Sequence, residues 1–318
     1  MIDFRYHVVS IIAVFLALGT GIVLGSTALD RPIIDDLKRR TEGLSQDKAE
    51  QQEQILELKD READARAFAS GVGSIVLPGR LTGQRVSVLM APGASRDVRD
   101  SLTASVRAAG GRVVSQIRLL PRLVDPAAAA VIDEVVSAVA TGTELPSGTV
   151  PRAAAQLAAV LDADGAADTE EARAGTTRVV SAYREAGLLA VDGDEPVRPG
   201  DLVLMVLGPL DDKLRAADDA AREAVVKPLV AVVSAFVGQG AVVLAAPSDA
   251  AVDGTVLRTV RDDAALAARL SSVDTAGTPA GNVVTVLALS DAVRRQFGHY
   301  GSGPGATAPL PTPEPAAA

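Results

Sequence analysis

The sequence predicts an α/β protein that is tethered to a membrane by one N-terminal helix. An uncharged apolar run covers residues 8–29, behind a short flank at residues 1–7. A polar segment with a heptad pattern follows at residues 30–70, and short apolar runs then alternate with alanine-rich helical patterns over residues 71–300. The remaining residues, 301–318, are rich in glycine, proline and alanine, and we expect a disordered tail there.

The composition excludes several classes of function. Forty acidic residues against 31 basic ones give a net charge of −9. A chain of this charge is repelled by phosphate backbones, and no basic cluster in the sequence offsets the repulsion, so we expect no nucleic-acid partner. The chain has no cysteine, which excludes disulfides, thiolate metal sites and cysteine nucleophiles.

The apolar run from Val8 to Leu29 predicts a transmembrane helix. At ~1.5 Å per residue it spans roughly 33 Å, the thickness of a bilayer hydrocarbon core. Arg5 precedes it and Asp30 follows it. A cleaved signal peptide is the alternative, with a weak cleavage site at 26–28, but signal peptides have shorter apolar stretches of about 7–15 residues. The length of the run therefore favours an uncleaved anchor in the lipid bilayer.

The orientation of this helix is ambiguous from its flanking charges. Arg5 is the only basic residue before the run, whereas Lys38, Arg39 and Arg40 follow it. This count does not favour a cytoplasmic N-terminus. A short N-terminus before a long domain is nevertheless typical of a signal anchor. We expect the N-terminus inside, the α/β domain extracytoplasmic, and the helix in the inner (cell) membrane of the envelope.

Three small residues predict association between membrane helices. Ala17, Gly21 and Gly25 recur every four residues on one helix face, which allows two helix backbones to approach closely. The alternative is that glycine is simply common in membrane helices.

The polar segment at 30–70 predicts a coiled-coil stalk. The apolar residues at its two heptad core positions are Ile34, Leu37, Leu44, Ile55 and Leu58. Because the middle of this seam is polar, we expect a weak coiled coil, most simply a parallel dimer or trimer of identical chains. A single helix that packs on its own domain is the alternative.

The domain at 71–300 predicts a doubly wound, mostly parallel sheet of Rossmann-like or flavodoxin-like type. The predicted strands are Val86–Met90, Arg112–Ile117, Leu202–Leu207, Ala241–Ala246 and Val283–Leu289. The predicted helices are Ser95–Ala109, Pro126–Ala140, Pro151–Ala163, Thr169–Ala186, Leu214–Val237, Asp263–Leu270 and Ser290–Phe297.

Residues that carry chemistry are scarce in this domain. The loops at 91–95, 208–212 and 246–249 follow predicted strands, but turn and capping chemistry explains their residues, and none has a dinucleotide or phosphate-loop motif. We therefore expect no enzyme activity and no cofactor. His299 is a weak candidate metal ligand, or a histidine of an ordinary loop. The methionines Met1, Met90 and Met205 are too far apart in sequence to indicate a copper site.

Three stretches resemble the mycobacterial copper-transport family MctB. They are the opening HVVSIIAVFLALGTGIVLGS, the heptad segment behind it, and the closing VVTVLALSDAVRRQFGHYGSGPGA. The resemblance implies an actinobacterial envelope protein, described as an outer-membrane channel-forming protein that limits copper accumulation, with copper as the transported ion. It brings no ligand residues to positions in this sequence. A single helical anchor suits the inner membrane better, so a pore would require oligomerisation of the N-terminal helices.

Three functional hypotheses follow. The first is an envelope protein of copper homeostasis that acts as an anchored oligomer. The second is a non-enzymatic scaffold or assembly protein, with a degenerate Rossmann-like domain that recruits other envelope proteins. The third, an enzyme with a degenerate nucleotide-type site, is the weakest because the chain lacks a cluster of catalytic residue types.

Overall fold

The computed structural model divides the chain into two compact units, Met1–Ala65 and Arg66–Ala318. The residues that it describes are 4–139, 145–161, 169–193, 196–209 and 212–312, and the side chains of 26–38 and 213–214 lie outside the description.

The first unit is helical. Helix α1 covers Phe4–Val76, so it begins in the first unit and ends in the second. Its stretch Phe4–Gly25 is long and apolar enough to cross a membrane, with a mean hydropathy of 2.5 and none of that stretch buried. The large apolar side chains there are therefore exposed on all sides of the helix, as expected for contact with lipid. The predicted N-terminal apolar helix is confirmed.

The heptad segment continues the same helix. Leu44, Ile55 and Leu58 are exposed, whereas the side chains of Ile34 and Leu37 lie outside the described residues. Exposed leucines at heptad spacing fit a coiled-coil seam, and the stalk stays a prediction. The stalk was expected to end near residue 70, but helix α1 continues to Val76. Isolated glycines cost a helix only about 1 kcal/mol each, and the end of α1 packs on the domain through its buried Gly73.

The second unit contains one seven-stranded sheet. Its strands are β1 Arg85–Met90, β2 Arg112–Leu119, β3 Leu189–Val191, β4 Leu202–Val206, β5 Ala241–Ala245, β6 Ser271–Val273 and β7 His299–Tyr300. Their order in the sheet is β3-β2-β1-β4-β5-β6-β7. Every neighbouring pair is parallel except β2 and β3, which are antiparallel. The mixed α/β class and the mostly parallel sheet are confirmed.

Helices cover both faces of this sheet. They are α2 Arg96–Ala108, α3 Ala129–Ala138, α4 Thr149–Leu161, α5 Glu170–Glu185, α6 Asp212–Ala216, α7 Asp219–Val237, α8 Val256–Asp262, α9 Ala264–Ala267 and α10 Pro279–Val293. Alternate strand residues enter two separate apolar cores. Helices α3, α4, α5, α7 and α8 pack on one face, and α2 and α10 pack on the other. The central strands β1, β4 and β5 are mostly apolar because both of their faces are covered.

The predicted strand Val283–Leu289 is wrong, because these residues lie inside α10. A short apolar run does not distinguish a buried strand from a buried helix. The start signal of the helix was present in the sequence: Thr278 caps it through its side chain, and Pro279 occupies the first helical position. The predicted helix Ser290–Phe297 is the end of the same helix, which stops at Val293.

The expected disordered tail also differs in its first part. Residues 301–312 are described and lie against the domain, whereas 313–318 lie outside the described residues. The Gly301 N–H donates to the carbonyl of Ala308 at 3.0 Å, and Tyr300 bridges to Ala308 in parallel register. A glycine- and proline-rich segment is ordered here because buried partners in the domain satisfy its backbone.

Candidate functional site

The carboxyl ends of β1 and β4 are the place where a doubly wound sheet usually binds a ligand, because the chain connections diverge there. The loop after β1 and Gly208 after β4 pack directly on each other. A Cβ at position 208 would overlap the carbonyl of Gly93 and would lie 2.8 Å from the amide nitrogen of Ala94. The space between the two loops is thus occupied by backbone, and only glycine allows this approach.

His299 is a buried strand residue rather than an exposed ligand. It lies in β7 and is 8% exposed. Its Nδ1 is 2.9 Å from the Ser272 hydroxyl oxygen in β6. Burial lowers the pKa of His299, and the nearby Arg261 guanidinium lowers it further, against a hydrogen bond to the backbone of Ala267. This environment favours the neutral imidazole.

A buried ion pair lies beside His299. Arg261 of α8 and Asp274, the residue after β6, have side chains that are 1% and 0% exposed, and they meet at 2.8 Å. Arg261 also donates to the Ser272 hydroxyl at 2.8 Å, to the carbonyl of Pro304 at 3.0 Å and to that of Tyr300 at 3.1 Å. A buried charge needs such partners, since an unpaired one costs several kcal/mol.

The C-terminal segment completes the environment of Asp274. The backbone N–H groups of Ser302 and Gly303 donate to its two carboxylate oxygens at 2.9 Å and 3.0 Å. Gly301 has a φ of +128°, and a Cβ there would overlap the Asp274 carboxylate. We name this arrangement of Arg261, Asp274 and residues 301–304 the C-terminal clamp. Its saturated hydrogen bonding indicates a structural role.

A copper site within one subunit finds no support among the described residues. In that part of the chain, no three His, Asp or Glu side chains lie close enough together to hold a metal ion. Met90 and Met205 lie on the adjacent strands β1 and β4, but their side chains enter opposite cores. Two thioethers on opposite faces of one sheet cannot share a copper ion.

The predicted helix-association face carries a shallow apolar groove. Ala17 and Gly21 line it together with Leu16, Thr20 and Leu24. The Thr20 hydroxyl donates to the carbonyl of Leu16 at 2.7 Å, so its polar group is satisfied within the helix. Gly25 lies one turn further along, and nothing lies within 4 Å of the Cβ position of Gly21 or Gly25.

A cleft of the described domain lies beside β2. Its volume is about 740 Å³, and it is lined by residues 112–116 of β2 and by residues 191–193 and 196–198. Arg107, Arg112 and Arg198 all line it and are exposed. We name it the arginine cleft.

Asp192 is the acidic residue on the described walls of the arginine cleft. It forms an ion pair with Arg99, which is itself 9% exposed, and a second with Arg118 at 3.2 Å. Its carboxylate is therefore engaged by two guanidinium groups from β2 and α2. The three arginines of the cleft, by contrast, have no ion-pair partner in the portion of the chain that the structure describes.

The sequence analysis missed both arginine sites. The residues of the clamp are far apart in the chain, and Asp274 follows a strand that is too short and polar to detect. Arg198 is separated from Arg107 and Arg112 by the whole α3–α5 region, and the pairing of β2 with β3 brings the two parts of the chain together. The one available signal was the glycine-rich stretch at 301–305, which marks a close approach of backbone to a buried group.

Comparison with known proteins assigns the family. The family described as "Copper transport outer membrane protein, MctB" matches residues 1–311. A protein of Mycobacterium tuberculosis named "Copper transporter MctB" is 29% identical over 314 residues, which cover 96% of this chain and 98% of that protein. A protein of the same name from Mycobacterium leprae is 26% identical over 319 residues, with the same shares covered. Because the match extends over nearly the whole sequence, the chain belongs to the MctB family of copper transport outer membrane proteins.

Proposed function

We propose that the chain is an envelope protein of copper homeostasis, held in the membrane by its N-terminal helix. The observation that carries this proposal is the family match over residues 1–311, together with relatives named as copper transporters that align from end to end. The exposed apolar stretch Phe4–Gly25 supports the anchor. In this proposal the anchor is uncleaved, the N-terminus is cytoplasmic, and the α/β domain lies outside the inner membrane.

The proposed protein acts as a homo-oligomer. The groove at Ala17 and Gly21 supports close packing of membrane helices, since small residues let backbones approach. The exposed Leu44, Ile55 and Leu58 support a coiled-coil stalk beyond the membrane. Copper handling then belongs to the assembly, because the described part of one subunit offers no cluster of three metal-binding side chains. A channel built from these helices would have a lumen without charged residues between Val8 and Gly25.

A scaffold or assembly protein is the second candidate, favoured by the contact between Gly93 and Gly208. The strand order of the sheet begins 3-2-1-4-5-6, the order of Rossmann-like domains, and we infer a domain of this type with an antiparallel first edge strand. The backbone of Gly93 and Ala94 lies against Gly208 at the crevice in which such domains usually bind nucleotides. A degenerate Rossmann-like domain of this kind supports a role in recruiting other envelope proteins rather than in catalysis.

The proposal is tested by deletion of the gene and complementation in the native host. The deletion strain is expected to accumulate copper and to become copper-sensitive, and the full chain is expected to restore both. A second complementing chain carries Gly21→Ile and Gly25→Ile, which remove the close helix approach while keeping the span apolar. It should reach the membrane but fail to restore copper content. Unchanged copper content in the deletion strain rejects the copper role and leaves the scaffold, for which co-purifying envelope proteins are expected.

A further inference from the structure

We infer that copper(I) is bound by His7 side chains from two or more copies of this chain, at the N-terminal end of the membrane helix. The inference rests on the proposed function, because it takes copper as the ion and a homo-oligomer as the acting form. It assigns a metal ligand that the family resemblance does not supply.

Side chains that bind copper(I) well are scarce in this chain. Sulfur ligands and imidazole are the protein groups that suit this ion. The chain has no cysteine, and its histidines and methionines are Met1, His7, Met90, Met205 and His299. Met1 lies outside the described residues, so the structure gives the environment of the other four.

Three of these four side chains are enclosed by the α/β domain. Met90 and Met205 are each 1% exposed and lie in separate cores. His299 is 8% exposed, and its ring is hydrogen-bonded within the domain. A metal ion reaches these groups only if the packing around them opens. Among the described residues, His7 is therefore the one imidazole or sulfur side chain that is exposed in the folded chain.

His7 lies at the outer end of the apolar stretch, in the first turn of α1, which begins at Phe4. Phe4 and Tyr6 beside it are 83% and 79% exposed, and aromatic side chains are typical of the level at which a membrane helix meets water. Ionisable residues in membrane helices are costly and usually mark functional sites. In the proposed orientation this end faces the cytoplasm, where reducing conditions keep copper as copper(I).

The helix periodicity places His7 on the side predicted for contact with a second copy. His7 and Gly25 are 18 residues apart, which is about five turns at roughly 3.6 residues per turn. Both residues therefore project from the same side of α1, and Gly21 projects within about 40° of that direction. A second chain in the same membrane orientation that packs against these glycines brings its own His7 to the same end of the contact.

A second copy of His7 supplies what one chain lacks. In the described part of one subunit, no three His, Asp or Glu side chains lie close enough together to hold a metal ion. Copper(I) accepts low coordination numbers, so one imidazole from each chain of a small oligomer is a sufficient ligand set. The expected stoichiometry is therefore one copper ion for each oligomer rather than for each chain.

The test measures copper(I) binding to the full-length chain in detergent, with the metal alone as the probe. Anaerobic titration against a chromophoric copper(I) chelator gives the affinity and the number of ions per chain. The parent chain should bind fewer copper ions than there are chains. His7→Gln keeps a polar side chain without an imidazole and should weaken binding by more than about tenfold. His7→Met supplies a thioether at the same position and should retain binding.

Two further variants separate the shared site from other sources of binding. The control His299→Gln removes the other histidine of the chain and should leave the affinity within about twofold of the parent value. The double variant Gly21→Ile, Gly25→Ile keeps His7 but blocks the close approach of two helices, so it should lose binding as His7→Gln does.

Complementation of the deletion strain separates this inference from the copper role itself. If His7→Gln restores the copper content as fully as the parent chain does, the inference is overturned and the copper role stands. Unchanged copper content in the deletion strain rejects the proposed function, and the titration then decides by itself whether His7 binds copper(I). An absence of saturable binding, full affinity in His7→Gln, one ion per chain, or unaltered binding in the double glycine variant each overturns the inference.

Discussion

Arginines occupy two edges of one sheet in opposite ways. At the β6–β7 edge, Arg261 is buried and donates four hydrogen bonds to protein groups, two of which, Asp274 and Pro304, belong to the C-terminal clamp. At the β2 edge, the three arginines of the cleft reach solvent. Arg261 is thus held by partners within the protein, whereas the arginines of the cleft are exposed to solvent. This contrast predicts a large effect on stability at one edge and a small one at the other.

The largest expected effect follows from Asp274→Ala, which leaves the Arg261 charge buried without its counterion. Removing one partner of a buried ion pair costs about 3–5 kcal/mol of the free energy of unfolding. Pulse proteolysis of the full chain in urea measures this value. Arg96→Ala, an exposed residue of α2, serves as the control. If the Asp274 variant loses less than about 1 kcal/mol of the free energy of unfolding, the clamp does not have the structural role assigned to it.

A smaller loss is expected for Gly301→Ala. The added Cβ meets the Asp274 carboxylate, and overpacking of a filled site costs about 1–3 kcal/mol beyond the strain of a positive φ. Gly93→Ala is the matched comparison, because Gly93 has a φ of +83° with open space around its Cβ position. That substitution should cost only the backbone strain of about 1–2 kcal/mol. Equal losses of urea resistance in the two variants would show that the clamp has room for a methyl group.

The free energy of unfolding should also depend on pH through His299 at the β6–β7 edge. Since the pKa of His299 is lowered in the folded chain, the unfolded chain binds a proton at higher pH than the folded chain does. The free energy of unfolding therefore falls as the pH drops below the ordinary imidazole pKa of about 6.5, and the fall levels off below the folded pKa.

The measurement is urea unfolding from pH 8 to pH 5, roughly the range over which histidine titrates. His299→Gln should remove this part of the slope, and the difference between the two chains isolates it from the carboxyl groups. Parallel curves for the two chains would contradict the assignment of the proton to His299.

The smallest effect is expected at the cleft. The triple variant Arg107→Gln, Arg112→Gln, Arg198→Gln should leave the free energy of unfolding within about 0.5 kcal/mol of the parent chain, because exposed charged side chains contribute little to stability. The same proteolysis assay checks it. A loss of stability comparable to that of Asp274→Ala would mean that the arginines have a structural role at both edges.

The parts of the sheet that the sequence predicts are those with internal signals. β4 and β5 are continuous apolar runs, β1 is apolar except for Arg85 and Ser87, and β2 is detectable by its Val and Ile residues. β3, β6 and β7 have three residues or fewer, and β6 begins with two serines. Strands of that length are fixed by their neighbours in the sheet rather than by propensity. The sequence therefore has no detectable strand signal at β3, β6 or β7.

The candidate sites are less predictable than the strands. The contact of Gly208 with Gly93, the clamp and the arginine cleft each join residues that are distant in the chain. A single sequence carries no signal for such contacts unless a motif of fixed spacing encodes them. The family resemblance was recoverable at the two ends, because the apolar anchor and the stretch around residues 283–306 have distinctive composition.

The C-terminal clamp has a consequence for biosynthesis. The amide donors of Asp274 are at Ser302 and Gly303, so they leave the ribosome after nearly all of the domain has been made. Translation delivers these amides after the seven strands of the sheet, and until then the sheet contains a carboxylate without its full set of partners. A reporter fused upstream of Ser302 would trap the nascent domain in that incomplete state, whereas a fusion placed after Thr312 would leave it free to close.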